Sequence, residues 1–254
     1  MNLNVIDEET LQVSDDVHYE VTMLDTHHVI VVDNVLKNPQ LFLENIVEKL
    51  PLRINDSHPD IVFPGPVGKF PIQLKELDYL TGFLIKKLTD FKKIDPKAIE
   101  SFYQLNSLHS DVQVKRASIQ PHVDSAIYAT VLYLNPEEDM KGGTSFFHHS
   151  ACGLTNMEHV SQPYKRTEDY WNLKEWTYDF KKKSTELIDC DSMLMEDVFE
   201  EVHFVPMKFN RLIIFPSYIW HSAIIKKGWY KDRPRVSLSG FCLLYTSPSP
   251  RDDR

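Results

Sequence analysis

The sequence predicts an α+β fold: a double-stranded β-helix, or jelly roll, braced by helices from its N-terminal part. Three observations carry this. Two hydrophobic patterns of helical period lie before residue 100, short β-rich runs dominate from about Ser101 onward, and a long polar stretch over 155–201 interrupts the strands like an insertion. Helical runs followed by strand runs argue for helices packed on one outer face of a sheet.

Taken in order, His27-His28-Val29-Ile30-Val31-Val32-Asp33 is a β-branched run that reads as a buried strand. Asn38-Pro39 then supplies an N-cap with proline at the first helical position, and Leu43, Ile46, Val47 and Leu50 share one face of the helix that should follow. A second helix is predicted by Leu74, Leu77, Leu80, Leu84 and Leu88, spaced by three and four. Between them, 51–71 holds five prolines and two glycines and reads as an irregular loop. The predicted strands of the second half are 101–108, 127–134, 202–205, 212–215 and 236–241. The insertion, with Tyr164, Tyr170, Trp171 and Trp176 scattered through it, is expected to be partly helical and to lie near the mouth of the barrel, where long loops serve as lids or binding loops.

The expected organisation is one domain over 1–241, with helical support over about 1–100 and a jelly-roll core over about 101–241. Residues 242–254, beginning Cys242-Leu243-Leu244-Tyr245-Thr246-Ser247-Pro248, read as the in-frame translation of a sequencing-library adapter. The native frame is therefore expected to end near Phe241, followed by a floppy tail.

Composition narrows the function classes. A net charge of −9 repels phosphate backbones, so nucleic acid is a poor partner, and Lys181-Lys182-Lys183 reads as solvated surface. No stretch approaches the ~20 apolar residues of a membrane span, and the start lacks a secretion signal. A cytoplasmic location is expected. Three cysteines, Cys152, Cys190 and Cys242, form neither a CxxC pair nor an even framework, which argues against a zinc ribbon or a disulfide scaffold.

The chemistry concentrates in Gln120-Pro121-His122-Val123-Asp124. In an extended segment residues two apart point the same way, so His122 and Asp124 can reach one ion. Two imidazoles and a carboxylate on one face leave positions open for co-substrate and dioxygen, the pattern of non-haem iron(II) sites. His221, 97 residues beyond Asp124, follows the apolar strand Leu212-Ile213-Ile214-Phe215 and the turn Pro216-Ser217, and supplies the third ligand. An anionic co-substrate held in a buried pocket needs a fixed cation, and arginine's planar fork matches a carboxylate at two points. Arg235 opens the last strand with Ser237 on the same side. Arg233 shares that parity, but Pro234 disfavours a regular strand there, so Arg235 is the predicted anchor.

With the His122-x-Asp124 motif, the strand ending Val131-Leu132-Tyr133-Leu134-Asn135, the Gly142-Gly143-Thr144 turn, His221 and the Arg235/Ser237 pair, the region from about Ala117 to Phe241 resembles the iron(II)/2-oxoglutarate-dependent dioxygenases. The nearest likeness is to their prolyl-4-hydroxylase-like branch. The resemblance implies Fe(II) on His122, Asp124 and His221, 2-oxoglutarate as co-substrate, O2 as oxidant and ascorbate as an accessory reductant. It also implies that Tyr133 hydrogen-bonds 2-oxoglutarate beside Arg235 and Ser237. The implied reaction hydroxylates a peptidyl or small-molecule substrate with release of succinate and CO2, and the carboxylate of Asp124 favours hydroxylation over halogenation.

Other readings remain open. A non-catalytic jelly-roll binding module makes the histidines incidental, and a cupin-like metalloenzyme uses the same ligands without 2-oxoglutarate. Tyr133 reads equally as core, Gly142-Gly143 as a plain hairpin turn, Trp220 as packing, and His148-His149 as surface or pocket rim, since strand neighbours face opposite ways. Substrate identity and oligomeric state are not written in the sequence.

Overall fold

A computed structural model describes residues 12–45, 67–69, 74–89, 94–108, 121–124, 126–149, 153–155, 199–226, 229–230 and 233–244. Among these the architecture is mostly antiparallel sheet with few helices. The strands are β1 (His18–Leu24), β2 (His27–Asp33), β3 (Val67–Lys69), β4 (Ile99–Leu108), β5 (Tyr128–Tyr133), β6 (Gly143–His149), β7 (Phe199–Pro206), β8 (Arg211–Pro216), β9 (His221–Ile224) and β10 (Arg235–Leu244). The helices are α1 (Pro39–Asn45) and α2 (Lys75–Leu88). None is long and apolar enough to cross a membrane.

The strands form a seven-stranded sheet, ordered β1-β2-β8-β5-β10-β4-β3, and a three-stranded sheet, ordered β7-β6-β9. An antiparallel bridge from His122 to His221 adds one more extended segment beside β9. Chain neighbours such as β4 and β5 are therefore not sheet neighbours; β10 lies between them, as the crossing connections of a jelly-roll-like sandwich require.

Strand alternation gives the large sheet two apolar faces. On one, Leu132, Leu212, Ile214 and Leu238 share a buried cluster with Phe42 of α1 and Leu84 of α2. On the other, Ala129, Tyr133, Ile213 and Phe215 pack with Phe146 and Val205 of the small sheet. Fully burying a side chain of this size stabilises the fold by roughly 1.5–3 kcal/mol, so these two layers hold the strands that carry the site.

Several expectations need correction. The N-terminal region is not a helical support alone: β1 and β2 extend the large sheet by pairing onto β8, and β3 lies within the segment read as an irregular loop. In β1 Tyr19, Val21 and Met23 alternate with His18, Glu20 and Thr22, a strand-like period of two, although all three apolar side chains stay exposed. Helix α1 is described over seven residues only; Ile46, Val47 and Leu50 lie outside the described residues, as do 156–198 of the insertion. Residues 199–201, assigned to that insertion, begin β7. Phe241 is not a structural end either, because β10 runs to Leu244, with Cys242 opposite both Ser101 and Tyr128. Burial pushes the Cys242 thiol up to about 12. Residues 245–254 lie outside the described set.

Candidate metal centre

His122 and Asp124 sit on the short extended segment that crosses from the large sheet to the small one. Backbone hydrogen bonds fix its path: His122 and His221 exchange N–H···O bonds of 2.9 Å each, and the Asp124 N–H donates to the Ser217 carbonyl at 2.8 Å. Val123, between the two ligand candidates, turns the opposite way into a buried cluster with Phe147 and Trp220. That apolar anchor holds the flanking His122 and Asp124 on the other side.

One ligand atom from each of His122, Asp124 and His221 lies within 4.8 Å of the others. Donors bound at about 2.1 Å to a common ion stand roughly 3–4 Å apart, so only a small side-chain adjustment separates this arrangement from ligation. His221 Nε2 is already 3.2 Å from Asp124 Oδ2, and the two imidazole centroids are 4.5 Å apart. On the far side of its ring, His221 Nδ1 is 2.8 Å from the Ile219 carbonyl oxygen. A carbonyl can only accept, so Nδ1 donates to it and Nε2 is the ring atom left facing Asp124. Phe215 stands edge-on to the same ring at 4.6 Å.

On the face of the large sheet that carries Tyr133 lies a second polar group. Arg235 is 6% exposed, and its Nη1 donates to Ser237 Oγ at 3.0 Å. Its guanidinium lies 5.7 Å from the ring centroid of Tyr133, and Ser237 is the cross-strand partner of that tyrosine. The Tyr133 hydroxyl is 2.7 Å from Thr144 Oγ1, and burial pushes its phenol up, so it stays protonated. Arg235 Nε is buried without a hydrogen-bond partner, and among the described residues no carboxylate pairs with this cation. A buried guanidinium so placed is costly unless an anion completes it.

Arg233 stands differently. It is exposed and pairs with Glu138 at 2.8 Å and Asp139 at 3.3 Å, carboxylates that push its guanidinium's pKa further up. The other residues weighed in the sequence take structural positions. His148 lies 3.4 Å from Asp25, while His149 stacks on Trp220 at 5.5 Å, so the two neighbours do face different surroundings. Gly142 adopts φ +79°, the left-handed turn conformation glycine tolerates, and Gly143 opens β6. Sequence reasoning missed the Ile219 carbonyl and the Thr144 hydroxyl. Thr144 had one legible signal, its place in the Gly142-Gly143-Thr144 turn; the Ile219 backbone carbonyl had none.

The donor set, two imidazoles and one carboxylate, suits a divalent transition metal, with iron(II) the usual occupant where positions stay open. The buried, incompletely bonded Arg235 could hold a carboxylate. Among solved structures, the selenomethionine-labelled Fe(II)/(alpha)ketoglutarate-dependent dioxygenase TqaL is similar to this chain with a TM-score of 0.39 and 9% identity, covering 83% of this chain and 76% of that one. No curated protein matches the chain in sequence. A family profile matches residues 15–236, and on that match the chain belongs to the family of unknown function DUF6445.

Proposed function

We propose that this protein is an Fe(II)- and 2-oxoglutarate-dependent dioxygenase that hydroxylates a peptidyl or small-molecule substrate. One observation carries the reading: a two-histidine, one-carboxylate cluster shares the inside of one sandwich with a buried arginine whose Nε has no partner. A purely structural jelly roll leaves the second unexplained, since a buried guanidinium nitrogen without a partner burdens the core. A metalloenzyme without 2-oxoglutarate explains the first and not the second.

In this reading His122, Asp124 and His221 hold the iron, and the Ile219 carbonyl keeps His221 in the tautomer that ligates through Nε2. Bound iron(II) supplies the oxidative decarboxylation of 2-oxoglutarate to succinate and CO2 that drives oxygen insertion into a substrate C–H bond. Arg235 takes the distal carboxylate of the co-substrate, releasing or sharing its bond to Ser237 Oγ. Tyr133, kept neutral by burial, offers its hydroxyl beside it. Phe146, Phe215 and Ile213 form an apolar wall that excludes water and strengthens these contacts.

Iron(II) binding and succinate release test the ligand set. His122→Ala and Asp124→Ala should each lower iron affinity by more than the roughly 10–100-fold that loss of an outer partner costs, and abolish succinate formation. Retained iron and turnover in either variant contradict the assignment.

A further inference from the structure

Connecting segments normally run over the surface, yet Tyr230, in the connection from β9 to β10, is 1% exposed. Its hydroxyl donates to the Lys141 carbonyl and stands 3.8 Å from Met207 Sδ. Met207 belongs to the buried cluster of Tyr133 and Phe146. The neighbouring Trp229 is held to the same turn, because Lys141 Nζ donates to its carbonyl at 3.2 Å. A Cβ on Gly142 would collide with the Ile224 carbonyl oxygen and stand 3.0 Å from the Trp229 ring, so glycine at 142 is what lets the connection lie this close.

Strand register places Tyr230 relative to the site. Along β6, Phe146 stands opposite His221; Thr144, two residues back, meets the Tyr133 hydroxyl; Gly142 and Lys141 come next. Tyr230, bonded to Lys141, thus lies past the Tyr133–Thr144 contact, on the side away from the metal ligands. Arg235 stands at that same end, two residues before the Ser237 that pairs with Tyr133. The electrostatics agree: burial pushes the Tyr230 phenol up, the Arg235 guanidinium opposes this, and Tyr133 adds to it. Such effects fade with distance and mark near neighbours.

We propose that Tyr230 is the back wall of the arginine chamber: it stops Arg235 from withdrawing and so fixes the length of the 2-oxo diacid the site accepts, taking five carbons and rejecting six. This rests on the dioxygenase reading above. An arginine side chain is long and has many rotamers, so by itself it selects the charge of a ligand and not its length. For a diacid held at its other end by the metal ligands, one extra methylene requires the guanidinium to draw back by that much. The space behind it is taken by a fully buried ring whose hydroxyl is tied to the Lys141 carbonyl. Close-packed surroundings leave no room for the ring to yield. Tyr133 and Thr144, bonded to each other beside the guanidinium, limit sideways escape.

The test measures anaerobic binding of two probes, 2-oxoglutarate and 2-oxoadipate, to the iron(II)-loaded protein by isothermal titration. Wild-type protein should prefer 2-oxoglutarate at least about tenfold, since one methylene in a fitted pocket is worth roughly 10–200-fold. Tyr230→Ala should bring the two affinities to within about threefold of each other, chiefly by tightening 2-oxoadipate. Tyr230→Leu, shorter than tyrosine but still apolar for a buried position, carries the same prediction should the alanine variant not fold, and thermal unfolding shows which variant is folded. A purely structural role for Tyr230 would weaken both acids together and leave their ratio unchanged. That result, or wild-type protein that binds the two acids equally, overturns the proposal. Wild-type protein that binds neither acid overturns the dioxygenase reading beneath it, so the two failures are distinguished.

Discussion

Arg233 and Arg235 are two residues apart on the same strand parity, and their surroundings separate their roles. Arg233 reaches outward to Glu138 and Asp139, whereas Arg235 is buried, holds Ser237 and retains an unpartnered Nε. Arg235→Ala should weaken 2-oxoglutarate binding by roughly 2–4 kcal/mol, about 30- to 1,000-fold, as expected for removing one partner of a buried charge pair. Arg233→Ala removes only an exposed ion pair and should leave binding within about twofold. Isothermal titration of both variants with 2-oxoglutarate checks this, and the reverse pattern would relocate the anchor. Much at this scale was legible in the sequence, because the same-side placement of His122 with Asp124, and of Arg235 with Ser237, follows from a period of two. The Tyr133–Thr144 contact and the Ile219 carbonyl depend on cross-strand register and turn geometry, which no local pattern encodes.

The strands reached their places partly through residues that local patterns undervalue. Asn210, between β7 and β8, adopts φ +60°, a conformation asparagine tolerates better than most residues. It is 5% exposed, and its side chain accepts from the Leu36 N–H and donates to the Leu36 carbonyl, each at 2.8 Å. Its own N–H donates to the Tyr133 carbonyl at 3.0 Å, so one residue ties the approach to α1 onto the β5–β8 pair that carries Tyr133. Asn210→Ala leaves both Leu36 groups without these partners and should destabilise the protein by about 1–3 kcal/mol, seen as a lower midpoint in urea. An unchanged midpoint would show that the clamp is redundant. At this scale the sequence was legible where hydrophobic runs were long, as in β2, β5, β8 and α2. It was less so in β3 and β9, which span only three and four residues, and in β6, where the inward apolar pattern is broken by Thr144 and two histidines.

Across the whole molecule, strands between His18 and Leu244 contribute to one seven-stranded sheet. The first and last described strands belong to it together, which explains why N-terminal residues read as mere support instead extend the sheet. The sandwich brings His122, Asp124 and His221 into one cluster and buries Arg235 beside Tyr133; these groups, and not a fold that serves many chemistries, point to function. The most direct test is an anaerobic titration of iron(II)-loaded protein with 2-oxoglutarate, monitored for the weak visible charge-transfer band of the chelate. A saturable band is expected in the wild-type protein, none in His122→Ala, and a shift to much higher 2-oxoglutarate concentration in Arg235→Ala. Folded, iron-loaded wild-type protein that gives no band would contradict the dioxygenase reading.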